Sequence, residues 1–221
     1  MGSDGSARST KRLLLWGSLG LAGTLALPSQ AAAVQADYTK IVGNQSSRGG
    51  AAPSLIVVHT TTDPNGGRPM FRDRPGLKDL KRLGRWFDNP RSAVSSHVAN
   101  DAQGHDARYV RDRRMAWTEV AFNSVGLSIE QIGTDEYSRR TWLRQRAPQL
   151  ENTAYWIAHW HRKWGIPMRR AQVDGTRVVR AGVATHSQLG RAGGGHSDPG
   201  PGYPLGHVLK LARSFASRSP G

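Results

Sequence analysis

The stretch that most limits how this chain can fold is Ala184-Thr-His-Ser-Gln-Leu-Gly-Arg-Ala-Gly-Gly-Gly-His-Ser-Asp-Pro-Gly-Pro-Gly-Tyr-Pro204. Glycine and proline break helices and strand ladders alike, and the segment has almost nothing apolar to bury. It must be a loop held by something other than a core. Into it the chain packs His186, His196 and Asp198, the residue types of a metal site. A catalytic metal takes three such protein ligands and keeps one position open. The best remote partner for this set is His59, which ends the aliphatic run Leu55-Ile-Val-Val58. That run reads as a buried strand, able to deliver a side chain to the rim of a sheet.

The chain has no cysteine, so a disulfide framework and a thiolate metal site are both excluded. A length of 221 residues suits one sizeable domain. Seven tryptophans, 26 glycines and a hydrophobic content of 37% fit a loop-rich globular protein.

Residues 1–33 read as an address label. Arg8, Lys11 and Arg12 form a basic start, Leu13 to Leu27 an apolar run too short for a membrane span, and Pro28 to Ala33 a small-residue cleavage zone. The expected product is secreted or held in the cell envelope, starts near Val34 or Asp37, has no stable membrane span and acts as a monomer. Formal charge is +15. Removing residues 1–33, with their three basic and one acidic residue, leaves +13. Such a charge attracts polyanions. The arginines are scattered from Arg68 to Arg180, with no basic stripe interleaved with stacking aromatics, so nucleic acid is not the expected partner. Anionic wall polymers are.

In chain order, 34–52 is polar and rich in Ser and Gly, and is expected to be a linker or loose arm. A domain over 53–216 and a frayed tail over 217–221 complete the organisation. Asp63 to Gly76 reads as a long surface loop of the kind that forms lids or substrate walls. Leu77, Leu80 and Leu83 with Trp86 and Phe87 predict a helix. Ala93–Ala99 and Arg108–Val110 predict a hairpin turning at Asp101–Gly104. His97 lies inside that hairpin, where a strand histidine is more often structural than a ligand. Leu127 to Ile132 alternates, with Ser128, Glu130 and Ile132 on one face. A carboxylate amid an apolar strand is costly unless an arginine or a reactive site accounts for it, and at this point both explanations stand for Glu130. Pro148–Trp164 predicts the best helix, stopped by Gly165-Ile-Pro167. Arg169–Arg180 reads as a polar excursion, and Leu205 to Phe215 as a closing helix.

Together, His59 at a strand end, Asn123-Ser-Val-Gly-Leu-Ser-Ile-Glu130, Thr185-His186 before Leu189-Gly190, and His196-Ser-Asp-Pro-Gly-Pro-Gly-Tyr-Pro204 resemble the zinc-dependent N-acetylmuramoyl-L-alanine amidases of the phage-lysozyme and peptidoglycan-recognition-protein type. The likeness runs from about Leu55 to Phe215. It implies an α/β fold: a single domain with a central mixed β-sheet flanked by helices and a shallow groove over one zinc. It further implies His59, His186 and Asp198 as zinc ligands, Glu130 as the catalytic acid and base, and His196 as oxyanion donor. Asn123 and His97 become candidates for substrate binding, and peptidoglycan the substrate. A non-catalytic peptidoglycan-recognition module is the alternative, but such modules typically lack a ligand, and His59, His186, Asp198 and Glu130 are all present. Two departures from the family pattern stand out. Trp117 is followed by Thr118 where members often have histidine, and Gly126 and Ser128 replace the commoner Ser and Gly before the acid.

Overall fold

In the computed structural model, which describes residues 35–61, 71, 74 and 76–217, the aliphatic run extends into a strand buried along its whole length, Leu55–Thr60. A strand whose two faces are both covered carries apolar residues on both, and this is how parallel strands at a sheet centre are built. Ile56 and Val58 pack toward Trp156, Ile157 and Trp160. Leu55 and Val57 pack on the opposite side with Phe122, Ala184 and Leu189.

Numbered in chain order, the strands are β1 Tyr38–Thr39, β2 Gln45–Ser47, β3 Leu55–Thr60, β4 Val98–Asn100, β5 Asp106–Arg108, β6 Arg114–Ala116, β7 Gly126–Gln131, β8 Gln172–Asp174, β9 Arg177–Arg180 and β10 Gly182–Thr185. Six of them form one mixed sheet in the order β1-β5-β4-β7-β3-β10, in which only β4 and β5 run antiparallel. The β2–β6 and β8–β9 pairs are separate antiparallel ribbons. The helices are α1 Lys78–Phe87, α2 Arg139–Gln145, α3 Ala147–Trp164 and α4 Leu205–Ser217. α3 and α4 cover one sheet face through Leu150, Ala154, Ile157, Val208 and Ala212. α1 packs by Leu80, Leu83 and Phe87 against Ala99, Ala107 and Tyr109. The α/β fold with a mixed central sheet flanked by helices is therefore the observed architecture.

α3 stops as its sequence predicts. Gly165 adopts φ 69, the left-handed conformation open to glycine, and its N–H caps the His161 carbonyl. The hairpin is shorter than predicted, because Ala93 turns left-handed (φ 52) after the 3-10 turn Pro90–Ser92 and delays the strand to Val98. The polar excursion is a ribbon, β8–β9, with Gly175 (φ 53) between its strands.

The supposed arm is the largest correction to the sequence reading. Val42, Asn44 and Arg48 are buried, β1 lies on the edge of the main sheet and β2 pairs with β6. The segment carries few apolar residues because polar side chains bury it instead. The Asn44 side-chain amide donates to the Asn89 carbonyl and to Ser92 Oγ, both at 3.0 Å. The address label at 1–33, most of the expected lid (62–70, 72, 73 and 75) and residues 218–221 lie outside the described residues.

Candidate metal centre

Strand order and register assemble the site. β7, β3 and β10 are adjacent and parallel, so their carboxyl ends open side by side at one sheet edge, where ligands bind in open α/β sheets. His59 of β3 pairs with Glu130 of β7. Side chains alternate faces along a strand, so this pair emerges on the face that also carries Leu55 and Val57. His186 directly follows β10 at the start of the 3-10 segment His186–Gly193, one step beyond the Thr185–Val58 pair. The loop then returns Asp198 to the end of β3, where Oδ2 accepts from the Thr60 N–H at 3.1 Å. Its backbone carbonyl accepts from the Ser187 N–H at 2.9 Å.

The three side chains converge. His186 Nδ1 lies 2.9 Å from Asp198 Oδ1, and His59 Nδ1 3.5 Å from Oδ2. The three ligand atoms lie within 4.8 Å of one another, and all three residues are buried. His186 Nε2 meets the Gly193 carbonyl at 2.8 Å, which places its proton on Nε2 and leaves Nδ1 as the donor atom. The two imidazole rings meet edge to face at 4.3 Å. Two imidazole nitrogens and one carboxylate oxygen, gathered without a lysine or arginine among them, fit a divalent cation of the zinc type.

The electrostatics follow from that crowding. Burial disfavours the charged form of His59, but Asp198 and Glu119 outweigh it and raise its pKa to about 10. Burial also works against ionised Asp198, yet the two histidines hold its carboxyl well below the usual range. Glu130, half-buried on the cleft wall, is pushed up to about 7; burial is the main cause, opposed by His59 and assisted by Asp198 and Glu119. His196 is exposed and stacks on His186 with ring centres 4.3 Å apart and planes 20° from parallel. Partial burial and the neighbouring His186 lower its pKa.

These groups line a cleft of about 270 Å³, walled by Phe71, Trp86, Phe87, Trp117 and Thr118. A larger open hollow of about 570 Å³, bordered by Arg74, Arg82, Arg85, Trp86 and Asn89, contains no ligating group.

Neither expected substrate contact lies on this cleft. His97 is 0% exposed. Its ring nitrogens meet Ser128 Oγ at 2.9 Å and the Arg48 guanidinium at 2.8 Å, and burial together with the Arg48 charge pushes its pKa down to about 3. It is a neutral structural hub, closed to substrate. Asn123 Oδ1 accepts from the N–H groups of Thr118 and Glu119 at 2.9 and 2.6 Å, clipping a loop. Sequence reasoning missed Glu119, which is fully buried with Oε1 3.6 Å from His59 Nε2. The only signal available was its place immediately after the Thr118 departure.

Residues 49–201 match the family profile described as N-acetylmuramoyl-L-alanine amidase. Among solved structures, the hydrolase AmiA of Staphylococcus aureus, in complex with its ligand, superposes with a TM-score of 0.60 at 17% identity, covering 85% of this chain and 90% of its own. A selenomethionine derivative of AmpD gives 0.57 at 19%, covering 80% and 95%. PlyL gives 0.51 at 15%, covering 82% and 99%. At these identities the likeness is one of fold. No curated protein matches the chain in sequence.

Proposed function

Because the chain belongs to the N-acetylmuramoyl-L-alanine amidase family, and is thus a cell-wall amidase, we propose that it cleaves the amide between the lactyl group of N-acetylmuramic acid and the L-alanine of the stem peptide, with zinc at His59, His186 and Asp198. The observation that carries this reading is the convergence of those three side chains at the ends of adjacent strands, with Glu130 beside His59 in register.

Zinc bound there supplies Lewis acidity toward the scissile carbonyl and makes water nucleophilic at neutral pH. The rest falls to side chains of the chain itself. Glu130 takes the proton of the attacking water and hands it to the leaving amine. A carboxyl whose pKa is near 7 suits both transfers. His196, neutral and at the mouth of the cleft, donates an N–H to the developing oxyanion, a contact worth about 3 kcal/mol in comparable sites. Trp86, Phe87 and Trp117 offer apolar walls to the sugar and peptide.

We further propose export, read from residues 1–33, and attraction of the +13 remainder to anionic wall polymers. Wall binding should then weaken as salt is raised. The deciding assay is release of L-alanine amino groups from purified peptidoglycan, with chelation, zinc add-back and Glu130→Ala. Zinc-restored release that Glu130→Ala abolishes at unchanged metal content supports the assignment. Wall binding with no release under any condition would favour a recognition module.

A further inference from the structure

Glu119 is a buried carboxylate with no hydrogen bond to either oxygen among the described residues, and His59 Nε2, 3.6 Å away, is equally unpartnered. A carboxylate at 0% exposure without a hydrogen bond is costly, so something must hold it there. Three local features do. Asn123 Oδ1 clips the N–H of Glu119 itself. Val120, the next residue, takes φ 51 with its side chain 63% exposed, a left-handed conformation that β-branched residues avoid and that here turns the chain so that Glu119 points inward. Gly126 leaves the necessary space: a Cβ there would stand 2.9 Å from Glu119 Oε2 and 3.0 Å from its Cδ.

The two departures from the family pattern therefore form one unit. Gly126 makes room for Glu119, while Ser128 Oγ lies 3.1 Å from Thr118 Oγ1. Glu119 does not line the cleft and cannot touch substrate, which excludes a catalytic role. It does reach the far nitrogen of a ligand.

We propose that Glu119 is a positioning residue: its carboxylate accepts the Nε2–H of His59, which fixes the tautomer and turns the Nδ1 lone pair toward His186 Nδ1 and Asp198. The inference rests on the zinc reading of the centre. The 3.6 Å separation is an ion contact that closes to a hydrogen bond with a shift of a few tenths of an ångström. His186 is presented in the same manner, Nδ1 forward, with the Gly193 carbonyl behind Nε2. One ligand is thus backed by a neutral carbonyl and the other by a charge, which raises the basicity of His59 and lowers the net charge of the loaded site.

The test is zinc affinity of the full chain, measured by competition with a chromogenic chelator, beside the melting temperature of the metal-free form. Glu119→Ala is expected to weaken zinc 10- to 100-fold, on the order seen for such partners. Glu119→Gln, which keeps an acceptor, should lose less. Gly126→Ala, which displaces the carboxylate, should fall with Glu119→Ala. Metal-free Glu119→Gln, which keeps an acceptor for the Nε2–H and fills the same space, should melt close to the parent. A purely structural role would do the reverse, lowering that melting temperature while zinc affinity stayed put. Affinities within twofold of the parent for every variant overturn the inference, and if Glu119→Ala does not fold, Glu119→Gln and Gly126→Ala decide. Parent protein that binds no zinc overturns the reading of the centre as well. Parent that binds zinc, and loses it in His59→Ala while the Glu119 variants are indifferent, overturns the inference alone.

Discussion

Arg48→Ala puts a number on the segment that reads as a linker in sequence. The guanidinium of Arg48 reaches the carbonyls of Asp112 (3.0 Å), Asn123 (3.3 Å), Ser124 (2.7 Å) and Gly126 (2.7 Å), and His97 Nε2 at 2.8 Å. It ties β2, the loop before β7 and the His97 hub into one buried network. At about 1 kcal/mol net per hydrogen bond the five contacts are worth about 5 kcal/mol. Burial opposes this: it lowers the Arg48 pKa, and the charges of Glu119 and Asp112 offset that only in part. Allowing about 1 to 2 kcal/mol for relief of that burial, Arg48→Ala should cost about 3 to 4 kcal/mol. For a domain of this size that corresponds to a melting temperature lower by roughly 10 °C. Arg48→Lys offers a point charge in place of a fork and should recover less than half of the loss. The assay is urea denaturation at neutral pH, where the midpoint should fall at unchanged slope. A loss within about 0.5 kcal/mol, as expected for an exposed arm, would refute the reasoning.

Other expectations follow from single contacts. Glu130→Gln should lower amide hydrolysis by about 10² to 10⁴-fold, the range of a lost general base, with zinc content unchanged by metal analysis. Asp112 is buried between Arg108 and Lys163, each at 2.6 Å. Burial pushes its carboxyl up, but these cations hold it below the usual range. Its stabilisation is therefore present above the unfolded carboxylate pKa near 4 and fades as pH falls through and below it. Asp112→Asn should cost about 2 kcal/mol at pH 7, and the gap to the parent in urea titrations should narrow below pH 4. Zinc at 100 times its dissociation constant should raise stability by about 2.7 kcal/mol in thermal melts, an increment that chelation removes. Gly200→Ala meets both a left-handed φ of 83 and a collision of its new Cβ with the Asp135 carbonyl oxygen. It should displace the nearby Asp198 and weaken zinc binding at least 10-fold in the chelator competition, about the loss that follows when a ligand's support is removed.

What could be read from sequence, and what could not, divides along a physical line. β3, β7, α3 and α4 announce themselves because their stability comes from apolar burial, whose period is written in the residues: Ile56 and Val58, Leu127 and Ile129, Leu150, Ala154 and Ile157. The cluster of His59, His186 and Asp198 was legible because metal chemistry admits few residue types, and a loop without a core needs another reason to be ordered. The β8–β9 ribbon was not, since Val173 and Val178 are only half-buried and Val179 is exposed, leaving no hydrophobic alternation to find. Arg48, Asn44 and Glu119 were misread or missed for a deeper reason. Each is a polar side chain buried by partners far away in sequence, and local pattern rules treat a polar residue as solvated by default. In this chain, such residues lie around the cluster of His59, His186 and Asp198. Arg48 anchors the carbonyls beneath β7, His97 braces Ser128, Asn123 clips the Thr118–Glu119 backbone, and Glu119 stands behind His59. The three clustered side chains are visible one by one in sequence, whereas the shell that aims them exists only once the sheet has closed.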